Sequence, residues 1–199
     1  AGAGNHAGAG TGHDSGGRLR VAKCDVGDAR GMRSTMRCLD AGGCLPVGGV
    51  LHCAGMLRDM AVDRMLAEDV AAVCEPKISG SWQVHYHTLG RAEAKVVLYS
   101  SVTALLGNMG QANYAYGNAW MDGLSGLRQA CGLWCSSVQW GPWSDVGMAA
   151  GGDVALGVAG ISNATGMSAL GFAMEEQPCT VGVCRIDASA APLLGGSSS

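Results

Sequence analysis

Charge is scarce in this sequence. Asp, Glu, Lys and Arg make up 15% of its 199 residues, and the formal net charge is −3. No basic cluster occurs, which argues against a nucleic-acid partner, because phosphate backbones are held by grouped Lys and Arg. No apolar run is long enough to cross a bilayer as a helix, so no membrane span is expected. The N-terminus lacks a basic stretch followed by an apolar one and does not read as a signal peptide. Metal-ligand spacing is also missing: the nine cysteines are an odd number without pairing, and His85 with His87 is too small a set for zinc. Cys24, Cys53, Cys135 and Cys184 lie in apolar, strand-like runs and are expected to be buried free thiols in a reducing, cytoplasmic setting. What the chain does have is 48% hydrophobic residues, which places it with globular proteins, and the length of one large domain.

Residues 1–17, AGAGNHAGAGTGHDSGG, are low-complexity Gly and Ala that cannot bury enough surface to order themselves. Gly2-x-Gly4-x-x-Ala7 and Thr11-Gly12-x-x-x-Gly16 imitate a dinucleotide phosphate loop. Such a loop must follow a hydrophobic strand and open a helix, and no strand precedes these glycines. Residues 1–19 are therefore expected to be a linker, 20–190 a folded domain and 191–199 a flexible tail. Strand patterns at 20–26, 47–53, 95–100, 133–140 and 180–186 alternate with helical ones, which predicts an α/β fold with a Rossmann-like, doubly wound parallel sheet. Residues 28–41 read as a helix. Leu66, Val70 and Val73 form a core-facing helical stripe. Pro76 is expected to interrupt that helix and put Lys77 at the start of the next. Trp120, Leu124, Leu127 and Cys131 follow helical spacing as a buried face, with Gly132 as the C-terminal cap.

The chain is organised around residues 97–118, VLYSSVTALLGNMGQANYAYGN. An apolar strand delivers Ser101 at its carboxyl end, where open α/β sheets build their sites. A glycine-containing loop and a helix bearing Tyr114 follow. Asn118, four residues on, shares the helix face of Tyr114.

Serine at a strand end, with Tyr about 13 positions later and a polar residue four beyond it, resembles the active site of short-chain dehydrogenases/reductases. Most members carry Lys four after the Tyr. Asn118 there, with Lys77 in the earlier phrase EPKISGSW, is similar to the ketoreductase domains of modular polyketide synthases and animal-type fatty acid synthases. The phrases VLHCAGMLRD, GQANYAYGNAWMDGL and VQWGPWSDVGMA resemble the same subfamily, over roughly residues 20–187. The resemblance implies reduction of a β-ketoacyl thioester, carried by an acyl carrier protein, to the β-hydroxyacyl thioester with hydride from NADPH. Other synthase domains would be neighbours.

By the same resemblance Tyr114 is the general acid. Lys77 lowers its pKa and holds the ribose, Ser101 binds the ketone, and Asn118 orders the proton relay. Asp25, Val26, Ala54, Gly55, Gly141 and Pro142 join Lys77 and Tyr114 around the cofactor, Asp25-Val26 at its adenine. Asp25 has a second reading, as a cap for the following helix. The family's leading strands and phosphate loop are not found in the sequence, so the fold is expected to be truncated at the N-terminus and to bind NADPH weakly. Leu57-Arg58-Asp59 keeps the last Asp of the Leu-Asp-Asp phrase that marks domains making the D-configured alcohol. The loop before Tyr114 lacks the Trp of the opposite class. Asp59 is therefore expected to orient the substrate. A non-catalytic scaffold segment and a stand-alone dehydrogenase are the alternatives.

Overall fold

The computed structural model describes residues 21–41, 46–145 and 158–186. The expected linker at 1–19 and tail at 191–199 lie outside them. Four parallel strands form the main sheet in the order β1-β2-β3-β5, with β1 at Gly49–His52, β2 at Lys95–Ser101, β3 at Cys135–Trp140 and β5 at Thr180–Val183. β2 and β3 are the central pair, in register from Val96↔Cys135 to Ser101↔Trp140. Both read as nearly unbroken buried strands because helices cover both faces of a parallel sheet.

Alternation along β2 divides the core. Val96 and Leu98 pack with Val84, Met121, Leu124 and Cys135 on one face. Val97 packs with Val138, Trp140, Ile161, Leu170 and Ala173 on the other. The first face is covered by α3 (Gly80–Thr88) and α5 (Ala112–Ala130), the second by α6 (Asn163–Glu176). α1 (Ala29–Ala41) and α2 (Ala67–Cys74) complete the longer helices, and α4 (Thr103–Leu106) is a single turn after β2. This is the doubly wound parallel architecture expected.

Several local expectations are corrected. The strand predicted at 20–26 does not form over its described part: residues 21–25 are irregular and Val21 is exposed. A strand is held by a neighbour's hydrogen bonds, and none of the described strands pairs with this segment. The final strand breaks at Cys184. β5 stays in the main sheet, while β6 (Arg185–Ile186) pairs antiparallel with β4 (Val158–Ala159).

Pro76 does not end its helix. Residues 75–79 form a π turn that joins α2 to α3 in one helical run, with Lys77 in its middle. The wider turn accommodates a residue that has no N–H to give. Of the stripe Leu66, Val70 and Val73, only Val73 is fully buried, and Leu66 precedes the helix and is exposed.

The buried face of α5 is also displaced. Trp120, Leu127 and Cys131 are exposed, and the face that turns inward carries Asn113, Gly117, Asn118, Met121, Leu124, Ser125 and Arg128. Much of that face is polar, so apolar spacing pointed elsewhere. Arg128 shows how such a residue is accommodated: its buried guanidinium donates to Thr88 Oγ1 at 2.9 Å and to the Trp134 carbonyl at 3.3 Å. The thiols differ as well. Of the four expected to be buried, Cys135 is, Cys53 is exposed, and Cys24 and Cys184 are half-buried.

Leu98 is wholly buried at the centre of β2. Leu98→Ala removes its methyl groups and leaves a cavity between sheet and helices, and should lower unfolding stability by about 2–5 kcal/mol. Urea denaturation of parent and variant measures this.

Candidate active site

The site lies at the carboxyl edge of the sheet. β1 ends at His52 and runs into Ala54 and Gly55, β2 ends at Ser101, and β3 ends at Trp140 before Gly141 and Pro142. Gly141 donates its N–H to the Val183 carbonyl at 2.7 Å. A Cβ there would lie 3.1 Å from that of Cys184, so the turn is packed tightly against the end of β5.

Ser101 is buried, and its Oγ accepts the Thr103 N–H at 3.2 Å, which opens α4. Tyr114 lies in the first turn of α5, and the side chains of Asn118 and Ser101 act on its phenol. Asn118 is fully buried. Its Nδ2 donates to the Tyr114 carbonyl at 2.8 Å and its own carbonyl accepts from Ser100 Oγ at 3.3 Å, while Oδ1 has no partner.

Lys77 is 2% exposed. It leaves the π turn and passes Gly117 of α5, where a Cβ would lie 3.4 Å from its own. Its Nζ donates to the Tyr99 carbonyl at 3.2 Å and stands 5.1 Å from the centroid of the Tyr114 ring. The structure thus brings Lys77, Ser101, Tyr114 and Asn118 together from three elements.

Burial lowers the Lys77 pKa to about 8, against the opposing pull of Cys53 and Asp122. For Tyr114 the expected lowering by lysine is not what the geometry produces. Burial raises its pKa, and Asn118 and Ser101 only pull the other way. The ammonium faces the ring of the phenol, which cation–π attraction favours. Tyr114 is therefore a protonated donor at neutral pH.

The remaining predicted residues are placed around this centre. Asp59 stands near Tyr114, held by Gln111 Nε2 at 2.9 Å, and Gln111 is itself braced by Asn108 Nδ2 at 3.0 Å. Arg58 turns to Asp69 at 3.3 Å instead. Asp25 Oδ1 accepts the Gly27 N–H at 2.9 Å, while the N–H groups opening α1 are taken by Asp28, so Asp28 rather than Asp25 caps that helix. Val26 lies against Gly80 at the start of α3.

Sequence reasoning gave no role to Gln111, Tyr99 or His52. Gln111 and His52 sit inside the quoted family phrases, which was a usable signal. Tyr99 contributes a main-chain carbonyl, and no side-chain pattern announces that.

Helices on both faces of a parallel sheet, with a Ser–Tyr–Lys–Asn cluster at its carboxyl edge, are the features by which the chain resembles short-chain dehydrogenases/reductases. The family model described as KR domain matches residues 9–145, and the chain belongs to that family. It is 34% identical over 188 residues to one of the phenolphthiocerol/phthiocerol polyketide synthase proteins of Mycobacterium tuberculosis, an alignment covering 92% of this chain and 8% of that protein. Among solved structures it resembles the first ketoreductase of the tylosin polyketide synthase, at 33% identity and a TM-score of 0.73 over 82% of this chain and 36% of that one. It also resembles an A-type ketoreductase from a modular polyketide synthase, at 29% identity and a TM-score of 0.81 over 87% and 38%. The chain therefore spans little more than a third of these solved ketoreductases and less than a tenth of the curated relative. No helix among the described residues is long and apolar enough to cross a membrane.

The buried ammonium gives a pH prediction. The folded pKa of Lys77, about 8, lies below its ordinary 10.5, so between these values the unfolded chain binds more protons and stability rises with pH. Lys77→Met should flatten that rise and stabilise the chain below pH 8. Denaturant midpoints measured across the window test both effects.

Proposed function

We propose that the site reduces a β-ketoacyl thioester, presented by an acyl carrier protein, to the β-hydroxyacyl thioester with NADPH as reductant. The observation that carries this reading is the Lys77 ammonium over the ring of Tyr114, 5.1 Å from its centroid. The likeness to polyketide synthase ketoreductases supports the substrate class.

The donor set suits the nicotinamide ribose half of such a cofactor. Lys77 has three N–H donors and spends one on Tyr99, leaving others for ribose hydroxyls. The orphaned Oδ1 of Asn118 is an acceptor awaiting a donor. Ala54, Gly55, Gly141 and Pro142 would flank the ring and ribose from the ends of β1 and β3, and Asp25 and Val26 would meet the adenine. No described strand leads through a Gly-x-Gly-x-x-Gly loop into a helix, so no pyrophosphate contact is assigned.

Hydride to the carbonyl carbon is what the reduced nicotinamide supplies when bound. Ser101 donates a hydrogen bond to the ketone oxygen and stabilises charge that develops there. Tyr114 gives its phenol proton to that oxygen as it becomes an alkoxide, which completes the alcohol. Lys77 holds the resulting phenolate electrostatically, and the ammonium form it needs is present below pH 8. Asn118 Oδ1 orders the water that returns the proton. Asp59, fixed by Gln111, borders the cleft and guides the thioester arm from one side.

Two measurements test this in a polypeptide that supplies the remaining length of the solved ketoreductases. Tyr114→Phe should lower turnover by about 10²-fold or more with the fold retained, and turnover within about a factor of two of the parent would remove Tyr114 from the acid role. Chiral chromatography of the reduced thioester should show mainly the D-configured alcohol, and an L-configured product would contradict the role given to Asp59.

A further inference from the structure

His52 ends β1 as a buried residue, with its Nε2 left without a hydrogen-bond partner. An unpartnered buried polar atom costs on the order of 1–3 kcal/mol, so a mere filler at this place would be apolar. The ring occupies space that a side chain at residue 80 would need. A Cβ added to Gly80 would lie 3.0 Å from His52 Cε1 and 2.8 Å from Val26 Cγ2. Gly80 also closes the π turn. Its N–H points to the Glu75 and Lys77 carbonyls and bypasses the Pro76 carbonyl, its partner in a regular α-helix. The Pro76 carbonyl acts on the His52 imidazole. The residue after Pro76 is Lys77.

We propose that His52 is a positioning residue for Lys77: its imidazole, packed with Val26 against Gly80 and acted on by the Pro76 carbonyl, holds the π turn that aims the ammonium at the Tyr99 carbonyl and the Tyr114 ring. The inference rests on the role given to Lys77 above. Neutrality is part of the design. Burial, and then the charge of Lys77, lower the His52 pKa to about 4, so the ring does not compete with the ammonium at neutral pH. The ionisable groups acting on Lys77 are Cys53, just beyond β1, and Asp122 of α5, and both favour its charged form. The imidazole therefore acts by shape and by its ring N–H, not by charge.

The test reads Lys77 directly, by NMR titration of its side chain in the full chain, with thermal unfolding measured in parallel. His52→Phe keeps the volume and loses the N–H; Gly80→Ala keeps the imidazole and drives a methyl into it. Both should move the Lys77 midpoint from about 8 toward the ordinary lysine value by about one unit or more, as the ammonium leaves its buried position. His52→Asn, which retains an N–H donor, should leave it near the parent value. In ketone reduction His52→Phe should lower kcat by about ten-fold or more with little change in KM, the mark of a misaimed catalytic group. An unchanged Lys77 midpoint in both His52→Phe and Gly80→Ala, whatever their thermal stability, would overturn the proposal. Should either variant fail to fold, the other decides by the same Lys77 midpoint. These titrations are independent of turnover, so they stand apart from the Tyr114→Phe result.

Discussion

The burial of one ammonium group constrains the rest of this structure. A lysine taken out of water must find fixed partners or give up its proton. Lys77 finds the Tyr99 carbonyl and the face of Tyr114, and still its pKa falls. Each partner comes from a different part of the fold. Tyr99 requires β2 to be central and its carbonyl to face the helix layer. Tyr114 requires α5 to begin beside the end of β2. The approach of the lysine stem requires Gly117, and its point of departure requires a turn wider than an α-helix allows. Moving any one of these elements by a residue would strand the charge.

The architecture was largely legible in the sequence, because buried parallel strands announce themselves as apolar runs. β1, β3 and β5 fall within the runs that predicted them, and β2 extends its run by one residue to Ser101. The spacing of the candidate site was legible for the same reason: Ser101 ends an apolar run, and Tyr114 and Asn118 share a helical face. Three things were not legible. Residues 21–25 have strand composition but no described neighbour, and composition does not report pairing. The π turn keeps a proline inside a helix, against the usual reading of proline as a stop. The inward face of α5 is built from Asn118, Ser125 and Arg128, so the apolar pattern of Trp120 and Leu127 marked the outer face instead. The π turn carries Lys77 and Asn118 lies one turn beyond Tyr114, whereas Ser125 and Arg128 bond to Cys179, Thr88 and Trp134 farther along α5.

The family resemblance implied that Lys77 lowers the pKa of Tyr114, whereas burial raises it. With burial dominant, Tyr114 keeps its proton in this state. That suits a general acid waiting for an alkoxide to form, since a group already ionised at neutral pH has no proton to give.

The distribution of unsatisfied polar atoms leads to the same place by a different route. Among the described residues, six buried side-chain atoms lack hydrogen-bond partners: His52 Nε2, Thr103 Oγ1, Asn118 Oδ1, Arg128 Nε, Ser136 Oγ and Trp140 Nε1. Four of them belong to one edge of the sheet. His52 ends β1, Thr103 follows β2, Trp140 ends β3, and Asn118 lies one turn beyond Tyr114. Chance would scatter such atoms through the core, and selection for stability alone would remove them, since each costs free energy on the order of 1 kcal/mol or more. Their concentration at the carboxyl edge means that this edge is incompletely satisfied by its own chain. A polar ligand that brings donors and acceptors to it regains part of that cost on binding, so the features that weaken the isolated fold are the ones that prepare it to bind.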